Sequence, residues 1–182
     1  MRSMAVACLS ALSFAAFAFA PADLQRLLKA HAKPVVAFEE VRESPWLSAP
    51  VVAKGSMRIT PDGLEKRVES PRSETWLLLA DRVEWHSADG RKSQILFSQA
   101  PALGALAKVL ERVVAGDFAG LEKDFDINLG GNEHAWRALL APRDPQVRRA
   151  LESIEVQGTG ADVQVLIVID RQGEKTTTRL QP

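Results

Sequence analysis

Apolar and polar positions alternate most cleanly between Pro50 and Pro71. Val51, Ala53, Gly55, Met57 and Ile59 fall on one parity; Val52, Lys54, Ser56, Arg58 and Thr60 fall on the other. Successive side chains of a strand point to opposite faces, so the first set makes an apolar face and the second a largely polar one. Thr60-Pro61-Asp62-Gly63 then supplies turn chemistry, and the stretch reads as one long hairpin with Gly55 as a site of sheet curvature. Further strands are predicted over Val35–Arg42, Glu74–Ala80, Val83–His86 and Ser93–Ser98. Glu74–Ala80 is apolar on both parities in its middle, the pattern of a strand covered on both sides. The period then changes. Pro101 to Ala115 carries an apolar stripe of Leu103, Leu106, Ala107, Leu110, Val113 and Val114, with Pro at its start and Gly116 after its end, which predicts a helix. A shorter helix is predicted over Asp23–Ala32, and one helical turn over Pro145–Ala150.

Strand patterns resume at Lys123–Leu129, His134–Pro142, Leu151–Gln157, Asp162–Asp170 and Lys175–Leu180, with turns placed at Gly130–Glu133, Gly158–Gly160 and Arg171–Glu174. About ten or eleven strands therefore follow one another in meander order, interrupted by one helix and preceded by another. The simplest fold for that order is mostly β, a single curved antiparallel sheet or open barrel with helices on its concave side.

A chain of 182 residues suits one domain. Lys plus Arg and Asp plus Glu each number 23, so the net charge is zero and there is no electrostatic footprint for nucleic acid or an anionic membrane. Residues 1–22 read as a cleaved signal peptide: Arg2, an apolar run from Met4 to Phe19, and Ala20-Pro21-Ala22 before a mature start at Asp23. The run is shorter than the roughly 20 residues of a spanning helix. Cys8 is the single cysteine and lies inside that leader, so the mature domain, 23–182, is exported without disulfides.

Candidate chemistry is sparse. His31, His86 and His134 have no metal-ligand spacing around them, and no G-x-S-x-G nucleophile elbow occurs. Asp124 and Asp126 share a strand parity and read as a solvated edge, while Lys66-Arg67 and Arg148-Arg149 read as solvated charge. Trp46, Trp76, Trp85 and Trp136 fit a packed core or, alternatively, the wall of a ligand cavity. Such a cavity binds by burying hydrocarbon, at about 0.8 kcal/mol per CH₂.

The order of elements resembles the outer-membrane lipoprotein carrier (LolA) family. The resemblance is carried by Phe38-Glu39-Glu40-Val41-Arg42, by Leu47 through Pro50-Val51-Val52-Ala53-Lys54-Gly55-Ser56-Met57-Arg58-Ile59, and by Leu78-Leu79-Ala80-Asp81-Arg82-Val83-Glu84-Trp85. The helix from Pro101 and the strand Trp136-Arg137-Ala138-Leu139-Leu140-Ala141-Pro142 follow in the family's order. Thr60 stands where the family carries an arginine linked to holding its lid closed, so the divergent LolA-related branch, associated with lipid or pigment-lipid export, is the nearer likeness.

The resemblance implies an unclosed β-barrel with a helical lid, located in the periplasm, that carries acyl chains reversibly without catalysis, cofactor or metal. The sheet side of its cleft is expected to comprise Val51, Ala53, Met57, Ile59, Trp76, Leu78, Trp85 and Phe97. The lid side is expected to comprise Leu103, Leu106 and Leu110. Implied partners are a lipid or acylated ligand, an inner-membrane exporter and an outer-membrane acceptor, with no nucleic acid. The alternative is a lipid- or peptide-sensing domain, similar to the sensory half of envelope-stress regulators. An enzyme acting on acyl or glycosyl groups would have to use Asp124 or His134.

Overall fold

The computed structural model describes residues 19–30 and 33–181. Most of the leader expected over residues 1–22, with Cys8, lies outside them, as does His31. Helix α1 (Pro21–Lys29) opens the described chain. Strands β1 (Val35–Glu43), β2 (Val51–Thr60), β3 (Gly63–Ser70), β4 (Glu74–Leu79), β5 (Arg82–Ser87) and β6 (Lys92–Leu96) follow. Helix α2 (Pro101–Val114) and a short 3-10 helix (Ala119–Lys123) come next. Strands β7 (Phe125–Asn132) and β8 (Ala135–Pro142), helix α3 (Pro145–Ala150), and strands β9 (Leu151–Thr159), β10 (Asp162–Asp170) and β11 (Lys175–Gln181) complete the order.

All eleven strands join one antiparallel sheet in the order β6-β5-β4-β3-β2-β1-β11-β10-β9-β8-β7. Strands pair with their neighbours in sequence except β6 and β7, and the one pairing between strands distant in sequence is the central seam, where β1 meets β11. β6 and β7 are the two free edges, so the sheet curls without closing. The β2–β3 hairpin is the one the alternation predicts, paired from Thr60–Gly63 to Lys54–Ser70. Its register shifts between Lys54 and Gly55, where a Cβ on Gly55 would lie 1.9 Å from the Arg67 carbonyl oxygen. The local kink of a bulge therefore sits at the glycine.

Residues directly opposite each other in antiparallel strands share a face, so the register traces the inner face across the sheet. One row runs Trp85, Trp76, Lys66, Met57 and Val36. A second begins at Glu40 and continues through Thr178, Leu166, Val156, Ala138 and Leu129. The helices cover this face unevenly. Toward β7–β9, Phe118, Leu121, Phe125, Trp136, Ala138, Leu140, Ile154 and Val156 are all 3% exposed or less. Phe118 meets Trp136 edge-on at 6.4 Å, and the Trp136 indole donates to the Gly160 carbonyl at 2.9 Å. Burial of each Leu, Ile, Val or Phe side chain among these contributes about 1.5–3 kcal/mol. Leu24 and Leu28 of α1 are buried, and the Gln25 side chain ties this helix to the turn after α2 by donating to the Gly116 carbonyl and accepting from the Ala119 amide.

Several boundaries differ from the sequence expectation. The strand predicted from Lys123 starts at Phe125, because Ala119–Lys123 winds into the 3-10 helix and Asp124 ends it. The turn expected at Gly130–Glu133 moves to Glu133-His134. Asn132 fixes it there by accepting from the amides of His134 and Ala135, and both glycines stay in β7. Gly158 likewise stays in β9, where the Trp136 ring occupies the space a Cβ would fill. Leu77 and Leu79 on the outer parity of β4 are half-buried, and Leu77 lies opposite Glu65 and Glu84, so β4 is not covered on both sides. Of the tryptophans only Trp136 is core: Trp76 and Trp85 are half-buried, and Trp46 is 80% exposed in the loop between β1 and β2.

Candidate functional site

Where the β7–β9 end of the concave face is tightly packed, the β3–β5 end is hollow. A cavity of about 250 Å³ lies between α2 and the sheet. β4 and β5 contribute Trp76, Leu78 and Val83 to its wall, α2 contributes Leu103, Leu106, Ala107 and Leu110, and β10 contributes Leu166 and Val168. The remaining wall is polar: Glu40 of β1, Lys66 of β3, and Thr176 and Thr178 of β11.

The helix reaches the cavity because its stripe is broad enough to serve two ends. Ala107, Val109, Val113 and Val114 are buried, while Leu103, Leu106 and Leu110 are half-buried along the hollow. Gly104 faces the other way, onto Phe97: a Cβ there would come within 2.9 Å of the Phe97 ring and its own Cβ. The first turn of α2 thus rests on an aromatic side chain of the segment after β6. Farther along, Lys108 pairs with Asp124 at 2.7 Å and Arg112 pairs with Asp117.

Trp76 and Trp85 sit side by side on the inner face, ring centroids 6.4 Å apart and planes tilted by 53°. Both indole N–H groups donate to one carboxylate, Glu74, at 3.1 Å from Trp76 and 2.6 Å from Trp85. That fork fixes both rings: Trp76 lines the cavity, while the Arg91 guanidinium lies 5.7 Å from the centroid of the Trp85 ring. Lys66 donates to both oxygens of Glu40, at 2.8 and 2.7 Å, and its ammonium lies 4.9 Å from the centroid of the Phe38 ring. The Thr178 hydroxyl donates to Glu40 Oε2 at 2.9 Å.

Five of the expected cleft residues line this cavity: Trp76, Leu78, Leu103, Leu106 and Leu110. Trp85 and Phe97 are half-buried beside it, as Trp76's ring partner and the seat of Gly104. Met57 shares the inner face but is 1% exposed and is core; Ala53 is half-buried against that core. Val51 and Ile59, at the two ends of β2, are 38% and 37% exposed and lie off the cavity wall. The sequence reading passed over Glu40 and Lys66, and Lys66 is not the solvated charge expected: its side chain is 15% exposed. The signal was present in parity, since Glu40 alternates with Val36 and Phe38, and Lys66 with Leu64 and Val68.

The other candidate groups lie apart from this site. Asp124 and Asp126 are each held by a cation, Lys108 and Arg143, both at 2.7 Å. His134 is exposed, and His86 stands 3.6 Å from Glu84. Among the described residues no group of three or more His, Cys, Asp or Glu is placed to hold a metal ion, and no helix is long and apolar enough to cross a membrane. A larger open groove of about 670 Å³ lies by the β7–β10 strands, lined by polar groups such as Arg137 and Gln157 together with Trp136 and Leu139, and by none of the expected cleft residues.

The sequence pattern that defines the family described as outer membrane lipoprotein carrier protein LolA-like matches residues 15–181. The chain belongs to this LolA-like family. No curated protein matches it. Among solved structures it is similar to a LolA superfamily protein from Nitrosomonas europaea, at 10% identity and a TM-score of 0.45 over 89% of this chain and 91% of the other. It is also similar to a putative outer membrane lipoprotein-sorting protein domain from Vibrio parahaemolyticus, at 10% identity and a TM-score of 0.47 over 89% of each chain. MucB, solved in complex with MucA, is similar at 15% identity and a TM-score of 0.36, over 90% of this chain and 56% of the other. In this LolA-like chain Thr60 closes its own hairpin, its hydroxyl donating to the Gly63 carbonyl at 3.2 Å.

Proposed function

We propose that this LolA-like chain is a periplasmic, non-enzymatic carrier that takes acyl chains into the cavity beneath α2 and passes them between membranes or export components. The observation that carries this reading is the apolar hollow between a helical lid and an otherwise well-packed sheet, lined by Trp76, Leu78, Leu103, Leu106, Leu110 and Leu166. Binding of this kind needs no reacting group. Each methylene removed from water contributes about 0.8 kcal/mol, so even a partly buried chain is held firmly yet releasably. At about 250 Å³ the hollow is smaller than the roughly 300–1,000 Å³ of most ligand pockets. A full acyl chain therefore enters by displacing α2 outward from the sheet. The expected exporter and acceptor would act on that displacement.

The test is mass spectrometry of protein purified gently from its host, followed by titration of the delipidated protein with a fluorescent fatty-acid ester. Copurified lipid and saturable uptake are expected. Leu106→Trp, which fills the hollow, is expected to weaken uptake about tenfold or more while the circular dichroism spectrum is kept. Absence of both copurified lipid and uptake would overturn the reading. A stable protein partner captured without lipid would favour the sensing alternative instead.

A further inference from the structure

A cavity built only for hydrocarbon has no use for an ion pair in its wall, yet Glu40 and Lys66 line this one, with side chains 23% and 15% exposed. We propose that Glu40, Lys66, Thr176 and Thr178 form a polar subsite that selects cargo by an uncharged hydrogen-bonding linkage, an ester or amide at the head of the acyl chain. This deepens the carrier reading and rests on it.

Three features carry the inference. The first is position. The inner-face register puts Glu40 beside Thr178, and Thr176 two residues along the same face, with Leu166 and Val168 of the apolar wall directly opposite the two threonines. Polar and apolar parts of the wall are therefore contiguous, as an amphipathic ligand requires. The second is charge. The bidentate Lys66–Glu40 contact, at 2.8 and 2.7 Å, pairs the two charges that line the cavity; of the other charges on this face, Arg42, opposite Thr176, is exposed and is not part of the cavity wall, and the Glu74 carboxylate holds the two indoles. A carboxylate head placed beside Lys66 would meet Glu40 as well and gain no net attraction from that pair. The third is solvation. Hydrocarbon that fills the hollow displaces water from the exposed part of this cluster, and an ion pair or hydroxyl that loses water without a replacement partner is costly. An ester carbonyl can accept from the Lys66 ammonium or a threonine hydroxyl, and an amide can in addition donate to Glu40. Bare hydrocarbon offers neither.

The test is displacement of the uncharged probe N-phenyl-1-naphthylamine by four ligands of equal chain length: lauramide, methyl laurate, laurate and dodecane, at about pH 8 where laurate is ionised. The wild-type protein is expected to bind lauramide and methyl laurate about tenfold more tightly than laurate or dodecane, the worth of one well-made hydrogen bond. Glu40→Gln removes the negative partner and leaves the ammonium under the cavity, so it is expected to shift preference toward laurate by about tenfold. The double variant E40L/K66M is expected to bind dodecane at least as well as wild type and to lose discrimination; if it fails to fold, E40Q alone decides. Equal binding of all four ligands by the wild type, a wild-type preference for laurate, or an unchanged order in E40Q would overturn the subsite while leaving the carrier reading intact. Displacement by none of the four would overturn both.

Discussion

Gly55 shows how closely single positions are set by backbone approach. The Arg67 carbonyl oxygen lies where its Cβ would be, and the β2–β3 register shifts at this point. Gly55→Ala is expected to cost about 1–3 kcal/mol, read as a lower urea midpoint at unchanged slope, because the neighbour is backbone and cannot swing aside. An unchanged midpoint would show that the kink does not depend on this residue. On the outer face, Arg137 holds the Glu155 carboxyl below the usual glutamate range by donating to it, and Gln157 adds a second donor. A lowered folded value means stability that is present above the ordinary glutamate range and lost as pH falls through the folded value. Glu155→Gln is therefore expected to be about 0.2–1 kcal/mol less stable than wild type near neutrality, with the difference closing in acid, as followed by thermal melts across pH. The parity of Glu40 and Lys66 was legible in the sequence, but their pairing was not. They lie 26 residues apart on strands separated by β2, and their side chains meet across it on the inner face.

At the scale of elements, periodicity reported the hairpin and α2 well because each is decided locally. Alternation and turn chemistry place β2 and β3, and Pro101 and Gly116 bracket the helix. It misplaced the start of β7 and the turns near Gly130 and Gly158, where tertiary demands override the glycine signal: Asn132 caps a turn farther on, and Trp136 lies across Gly158. The packing of α2 yields a prediction of its own. Gly104 lets the helix sit on Phe97. Gly104→Val is expected to lift the first turn of α2, lowering the melting temperature and speeding release of a bound fluorescent acyl ester in stopped-flow measurements. Unchanged release would mean that the lid opens elsewhere, for instance at the Lys108–Asp124 end.

The molecule as a whole is asymmetric. One end of the concave face is filled by α1, the 3-10 helix and the side chains around Phe118 and Trp136, while the other carries the hollow. Amide hydrogen exchange is expected to be slowest in β8 and β9 and fastest in β6, all five of whose residues are exposed and which pairs on one side only. Uniform protection across the sheet would contradict this division. The meander was readable because nearly every strand finds its partner next door. The join of β1 with β11 was not, since no local pattern relates residues as far apart as Glu40 and Thr178.

That join has a consequence for how the protein comes into being. A chain made from its N-terminus onward has β1 early, but β1 gains its second neighbour only when the seven-residue strand β11 arrives. The cavity draws wall residues from β1, β3, β10 and β11, so it cannot exist in part. Until Thr176 and Thr178 are in place, the hollow lacks the part of its wall that lies beside Glu40. Formation of the hollow is thus coupled to the docking of β11 on β1 and not to any local hairpin.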